Sequence, residues 1–165
     1  MDLACGQNKQ EGFYGIDICK CPVVDKVWDL EKRPWPLKAN SVDEAHASHY
    51  IEHTRDFFGF LDELYRVLKV GAKATLIAPY MLSRRAWQDP THTRAICEQS
   101  FLYGNKEWRE VNKLSHYPVS CDYDFCFGYN MTPEWASKSH EAIQFALKHY
   151  WDVANDIVVT LTKRG

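Results

Sequence analysis

No apolar stretch in this chain approaches the roughly 20 residues that a membrane helix needs, and no secretory signal precedes the first apolar run. The chain therefore reads as cytoplasmic, with no membrane partner. Excess charge of one sign is missing as well. The net charge is -2, and the basic residues are scattered as Arg84-Arg85, Lys106 to Lys113 and Lys163-Arg164. Nucleic acid is thus not signalled as a partner. There is no G-x-G-x-x-G run, because Ala4 and Asn8 stand where glycines would be expected. A phosphate cradle needs free backbone N–H groups at a helix start, so a nucleoside ligand without phosphates is favoured over a dinucleotide or ATP. Cysteines at C-x2-C spacing are absent too. The six cysteines include Cys19-x-Cys21 and Cys121-x4-Cys126, with no paired histidines beside them. No metal is expected, and the cysteines read as small buried thiols in a reducing compartment. Proline and glycine are not in excess, and there is no repeat or low-complexity tract. With 45% hydrophobic residues over 165 positions, this excludes disorder and fits one compact domain spanning residues 1–165.

What is present alternates strand and helix, the mark of an α/β sheet. Strands are expected at Leu3 to Cys5, Phe13 to Ile18, Val23 to Trp28, Val42 to Ser48 and Lys73 to Ala78. Phe57, Leu61, Leu64 and Leu68 recur at helical spacing, widened by Phe60 and Val67, and predict a helix over Arg55 to Lys69. Gly71 is the expected left-handed stop. Tyr80 to Val119 is irregular and aromatic, the pattern of a functional loop. Ser120 to Tyr129 reads as extended. Thr132-Pro133-Glu134 carries the signals of a helix start, continued by Ile143, Ala146, Leu147, Tyr150, Ala154 and Ile157, while Asp156 to Thr162 reads as a closing strand.

The opening stretch, DLACGQNKQEGFYGIDI, carries the first functional signal. A turn containing Gly6 lets the backbone approach a ligand closely. An acid that ends the next strand, Asp17, can accept both hydroxyls of a ribose. Asp29 ends a third strand where an exocyclic amine of adenine would lie. Ligands of open α/β sheets bind beyond such strand ends. Taken alone, the segment is equally consistent with ordinary strand-end acids and a turn glycine.

The ordered set DLACG, GFYGIDI, WDL, PWPLKANSVDEAHASHYIEH and ELYRVLKVGAKATLIAPY closely resembles the class I S-adenosylmethionine-dependent methyltransferases of the small type 11 group. The matching motifs are Asp2 to Gly6, Asp17, Pro34 to Asp43, Glu52-His53 and Arg66 to Ala72, and they cover roughly the first half of the chain. The tail, DYDFCFGYNM to VVTLTKR, resembles phage and environmental methyltransferase-like proteins. The resemblance implies a Rossmann-like, doubly wound, mostly parallel sheet with an antiparallel edge strand. It implies S-adenosylmethionine as cofactor and methyl transfer as the activity. Asp2, Ala4 and Gly6 would then border the methionine moiety, and Asp17 would bind the ribose. Ile18 would pack on adenine, Asp29 and Leu30 would flank the adenine edge, and Ser48 and His49 would sit beside the transferred methyl. Ala4, Asn8 and Ala72 replace family glycines, and the N-terminal helix that usually covers the cofactor does not precede the first strand. Either the gene start is truncated or another element supplies the cover. An uncovered cleft is also a reason to form a homodimer.

Methyl transfer needs a general base only where the acceptor must lose a proton. Asp89-Pro90-Thr91-His92 resembles a D-P-x-H segment found on the substrate side in some members of the group. His92 is a candidate base and Asp89 a candidate to orient it, against the alternative of a simple turn. His49, Glu52 and His53 look like a metal-ligand set, but the preferred reading of Glu52 and His53 is a hydrogen-bonded strand-to-helix junction. His49 is the better catalytic candidate. Tyr80, Trp87, Phe101, Tyr103 and Trp108 would form a substrate lid or, equally, a cluster that holds the loop down. The aromatic segment and the weak net charge favour a small-molecule acceptor over bulk nucleic acid. A lyase or aminopropyl-type transferase consuming S-adenosylmethionine, and a non-catalytic nucleoside-binding module, are the alternatives.

Overall fold

In the computed structural model, which describes residues 1–165, the long regular helix of the first half is α1, Phe57–Val67. Its stripe of Phe57, Phe60, Leu61, Leu64 and Val67 is buried, which is what holds an amphipathic helix of this length in place. Asp56 caps the helix by accepting from Gly59 N at 2.9 Å, and Arg33 Nη1 donates to the same carboxylate at 2.8 Å. A Cβ on Gly59 would collide with Asp56 Oδ2 and with the Arg33 guanidinium. Alanine is ordinarily better than glycine in a helix by about 1 kcal/mol. Here Gly59→Ala is expected to lower stability by about 1 kcal/mol instead, because it displaces the cap. The sign of the shift in thermal unfolding checks this.

The helix is shorter than its apolar spacing predicts. Leu68 is already extended, fully buried and paired with Val42, so the chain enters strand β5, Leu68–Pro79, without a glycine stop. Gly71 does adopt a left-handed backbone, φ +80°, but inside that strand. Lys69 likewise lies in the strand, with Nζ 2.5 Å from Asp43 Oδ1.

The other strands are β1 (Asp2–Leu3), β2 (Gly15–Asp17), β3 (Lys26–Val27), β4 (Val42–Ser48), β6 (Tyr123–Met131) and β7 (Ala154–Lys163). They form one sheet in the order β3-β2-β1-β4-β5-β7-β6. β1 to β5 run parallel, and β7 is antiparallel to both β5 and β6. The antiparallel strand therefore lies one place in from the edge, which β6 occupies. The first three strands are shorter than the apolar runs suggest. Ala4 has φ 52° and ends β1 at Leu3, and the turns closed by Phe13 N to Gln10 O and Val24 N to Cys21 O remove the flanks of β2 and β3.

Between β5 and β6 the chain makes three short helices, α2 (Arg85–Gln88), α3 (Glu98–Leu102) and α4 (Lys106–Val111). The last helix, α5 (His140–His149), starts from a Ser139 cap rather than from Thr132. Thr132 Oγ1 donates instead to Asp152 O and Val153 O, which commits that segment to the turn before β7. Ala154 and Ile157 belong to β7 and not to a helix.

Ala45, Ala47, Ala74, Leu76, Val159 and Leu161 are buried with α1 in one core. Their neighbours along the strands, Glu44, His46, Thr75 and Thr160, point to the other face and are partly or fully exposed. That alternation is usual in antiparallel sheets and uncommon in parallel ones, where helices cover both faces. No helix is long and apolar enough to cross a membrane.

Candidate functional site

The parallel strands deliver their carboxyl ends to one edge of the sheet, where α/β folds bind ligands. β1 ends in a turn with two left-handed residues, Ala4 and Gly6, both at φ 52°. β2 ends at Asp17, which is 8% exposed. Its Oδ2 accepts from Gly6 N at 2.8 Å and its Oδ1 from Cys19 N at 2.8 Å. The acid thus shapes the first turn from the neighbouring strand, and each oxygen keeps a lone pair free. A cleft of about 440 Å³ opens here, with Ala4, Asp17, Ile18, Asp29, Leu30 and His53 among its walls. Ile18 is 64% exposed, an apolar side chain left open beside an acid.

A second cleft of about 440 Å³ is walled by Asp2, Ala4, Gly6, Ser48, His49 and Ile77 among others. Ala4 belongs to both, so the two adjoin. All eight cofactor candidates from the sequence, Asp2, Ala4, Gly6, Asp17, Ile18, Asp29, Leu30 and Ser48, fall on these two surfaces. Asp2 is buried and already occupied: Oδ1 lies 2.7 Å from His46 Nδ1, and Oδ2 accepts from Gln10 N at 2.8 Å. Asp29 Oδ1 accepts from Glu31 N at 3.0 Å. A further hollow of about 450 Å³, at Met1, Phe13, Tyr14 and Val42, lies at the opposite end of β1 and β4 and carries none of these groups.

His49 is held in a left-handed backbone, φ 54°, by its N–H to Ile77 O at 2.8 Å. A non-glycine residue in that region stores strain and is worth a functional explanation. Its ring is half-buried, with Nδ1 3.3 Å from Glu52 Oε1 and Nε2 3.9 Å from Asp156 Oδ1. The Glu52 carboxylate beside it raises its pKa above the ordinary imidazole value, against the opposing effect of burial. Asp156 is itself fixed by Arg85 Nη1 at 3.0 Å and Asn130 Nδ2 at 3.2 Å. Neither Asp156 nor His46 stands out in the sequence. The one available signal was an acid opening an apolar strand.

Asp89 and His92 are not brought into either cleft. They line a separate small hollow beside Ala86 and Trp87. Asp89 Oδ1 accepts from Thr91 Oγ1 and Thr91 N at 2.7 and 2.8 Å, contacts that hold its carboxyl below the usual carboxylate range. His92 is oriented by Ala86 O, 2.9 Å from Nδ1, and its Nε2 is 4.0 Å from Asp89 Oδ2. Most of the middle aromatics hold the loop down: Phe101 packs on Phe57 and Phe127, Tyr103 on Trp108 and Tyr117, and Tyr80 on Tyr129. Trp87 alone of the five is largely exposed. All six cysteines are unpaired; Cys5 and Cys121 are buried, while Cys19 and Cys126 are exposed. The expectation of buried thiols therefore fails for those two, which sit on the loop after β2 and on the exposed face of β6.

Residues 6–76 match the family profile described as a methyltransferase domain. Among solved structures, the chain is similar to a SAM-dependent methyltransferase from Archaeoglobus fulgidus, at 18% identity and TM-score 0.68, over 98% of this chain and 84% of that one. It is similar to an S-adenosylmethionine-dependent methyltransferase from Mesorhizobium loti at 12% identity and TM-score 0.58, over 98% and 89% of the two chains. It is also similar to the plantazolicin methyltransferase BpumL in complex with SAH, at 14% identity and TM-score 0.55, over 99% and 75%. No curated protein matches the chain. The matched segment spans less than half of the chain, and the likeness to these structures shows a shared fold, that of the S-adenosylmethionine-dependent methyltransferases.

Proposed function

We propose that this chain, acting as one domain over residues 1–165, transfers a methyl group from S-adenosylmethionine to a small-molecule acceptor. The observation that carries the reading is the Asp17 carboxylate, set in a cleft against the Gly6 turn with the exposed Ile18 beside it. The donor set suits an adenosine group. Asp17 has acceptor capacity left for two ribose hydroxyls. Ile18 offers apolar surface to a purine, with the buried Leu30 in the same wall, and Asp29 offers an acceptor to its amine. A Cβ on Gly6 would project into open space, so the backbone there leaves room for the methionine part, with Ser48 on the facing wall. Asp2 contributes by tying down Gln10 in the loop that follows.

When bound, the cofactor supplies a methyl carbon made electrophilic by its sulfonium. The chain's own residues position and desolvate. His49 lies on the wall of the second cleft and takes the proton where an acceptor must lose one. His49→Ala is expected to lower kcat by about 100-fold for such an acceptor and leave the affinity for S-adenosylmethionine unchanged. Steady-state kinetics beside calorimetry read the two quantities separately. Asp89 and His92 are given no part in this step.

Isothermal titration with S-adenosylmethionine and S-adenosylhomocysteine tests the reading: both should bind the intact chain. Absence of binding to folded protein ends it. Incubation with S-adenosylmethionine alone should leave it intact, whereas methylthioadenosine would indicate the lyase or aminopropyl-type chemistry.

A further inference from the structure

Two motifs left unused by the cofactor meet in space: Glu52-His53, just after β4, and Asp89-Pro90-Thr91-His92, in the loop after β5. Thr93 clamps them together. Its N–H donates to Glu52 O at 2.8 Å, and its hydroxyl lies 3.0 Å from Glu52 O and 2.9 Å from Thr54 O. One ligand atom each from Glu52, His53 and His92 then falls within 4.8 Å of the others. Glu52 is 1% exposed, and neither of its carboxylate oxygens has a hydrogen-bond partner. His49 Nδ1, 3.3 Å from Oε1, is the charged neighbour beside it. A buried carboxylate with no hydrogen bond and one partly exposed imidazole beside it carries a desolvation cost of several kcal/mol that is only partly offset.

The rings are set to offset it. His92 Nδ1 faces the Ala86 carbonyl at 2.9 Å, which can only accept, so that nitrogen carries the proton and Nε2 keeps its lone pair. The Thr91 hydroxyl donates to Asp89 Oδ1 at 2.7 Å and therefore accepts from His53 Nδ1 at 3.0 Å. His53 Nε2 is then also a free lone pair. Imidazoles whose second nitrogen donates to a carbonyl or to a carboxylate-linked hydroxyl are the supporting arrangement of metal-bound histidines. We propose that Glu52, His53 and His92 bind one divalent transition-metal ion of the zinc type. Two imidazoles and one carboxylate select such an ion over magnesium or calcium, and three protein ligands leave a position open. Zinc bonds of about 2.0–2.1 Å place tetrahedral ligand atoms roughly 3.3 Å apart, so the three groups, now within 4.8 Å of one another, draw closer on the ion. Asp89 and Thr91 become positioning residues for His53. The sequence-based expectation of no metal is revised for this cluster. The proposal stands apart from the cofactor assignment, although His53 is also a wall of the cleft beside Asp17.

The full chain, stripped with a chelator, is titrated with Co²⁺ alone and followed by its visible ligand-field bands, with Zn²⁺ as competitor. One equivalent should bind, Zn²⁺ should displace it, and Zn²⁺ should raise the unfolding temperature. His92→Ala and Glu52→Gln should abolish the bands, and Thr91→Val should weaken Co²⁺ by about 10–100-fold. S-adenosylhomocysteine binding to each variant, read by calorimetry, reports that the fold and the cofactor cleft persist. Wild-type protein that binds S-adenosylhomocysteine but no Co²⁺ overturns the metal site and spares the methyltransferase reading. So does Co²⁺ affinity that His92→Ala or Glu52→Gln leaves unchanged.

Discussion

Asp17→Ala weakens S-adenosylhomocysteine binding by at least about 100-fold. A hydrogen bond to a charged group contributes about 1.5–3 kcal/mol, and two ribose hydroxyls sharing one carboxylate put the loss near 3 kcal/mol or above, with tenfold for every 1.4 kcal/mol. The same carboxylate accepts from Gly6 N and Cys19 N, so its removal also frees the turn that carries Ala4 and Gly6. Asp17→Asn separates the two effects. An amide oxygen can still hold one backbone N–H, but the charge and one acceptor are gone. The asparagine variant should fall between wild type and alanine. Calorimetric titration of all three, with unfolding temperatures as a fold control, reads the result. An alanine variant that is folded and binds with wild-type affinity would falsify the assignment of the cleft.

Glu63→Ala costs the fold about 3 kcal/mol. Glu63 is buried on α1, where Oε1 accepts from Trp35 N at 2.5 Å and Arg66 Nη2 at 2.6 Å, and Oε2 accepts from Arg66 Nε at 2.9 Å. Removing one partner of a buried ion pair typically costs 3–5 kcal/mol. Arg66 is about a third exposed and can regain water, so the lower end applies. At about 2–4 °C per kcal/mol for a chain of this size, the unfolding temperature should drop by roughly 6–12 °C. The effect reaches the site, because Trp35 Nε1 donates to Leu30 O at 3.0 Å and so positions a wall of the cleft beside Asp17. Burial pushes the Glu63 pKa up, but Arg66 and the Trp35 N–H outweigh it and leave the pKa below the ordinary value of 4.5. A group depressed in the folded state adds stability that is fully present above its unfolded pKa and is lost as pH falls through the folded one. Wild-type stability should therefore decline below pH 4.5 more steeply than that of Glu63→Gln, as chemical unfolding across that window will measure.

The sequence by itself determined the features that depend on local chemistry. The apolar stripe from Phe57 to Val67 specifies α1, the Asn40-Ser41 turn marks the start of β4, and an acid after a short apolar run marks Asp17. Each rests on side chains close together along the chain. The order of motifs likewise foretold the sheet. Only the tertiary structure decided where α1 yields to β5, because burial of Leu68 against Val42 outweighs helical spacing that would run on to Lys69. It alone decided that His92 lies behind His53 and away from the clefts, that Asp156 from the last strand stands beside His49, and that His46 holds Asp2. Those contacts join residues 39, 107 and 44 positions apart. Pairings over such distances are set by strand order and register, to which no spacing along the chain refers.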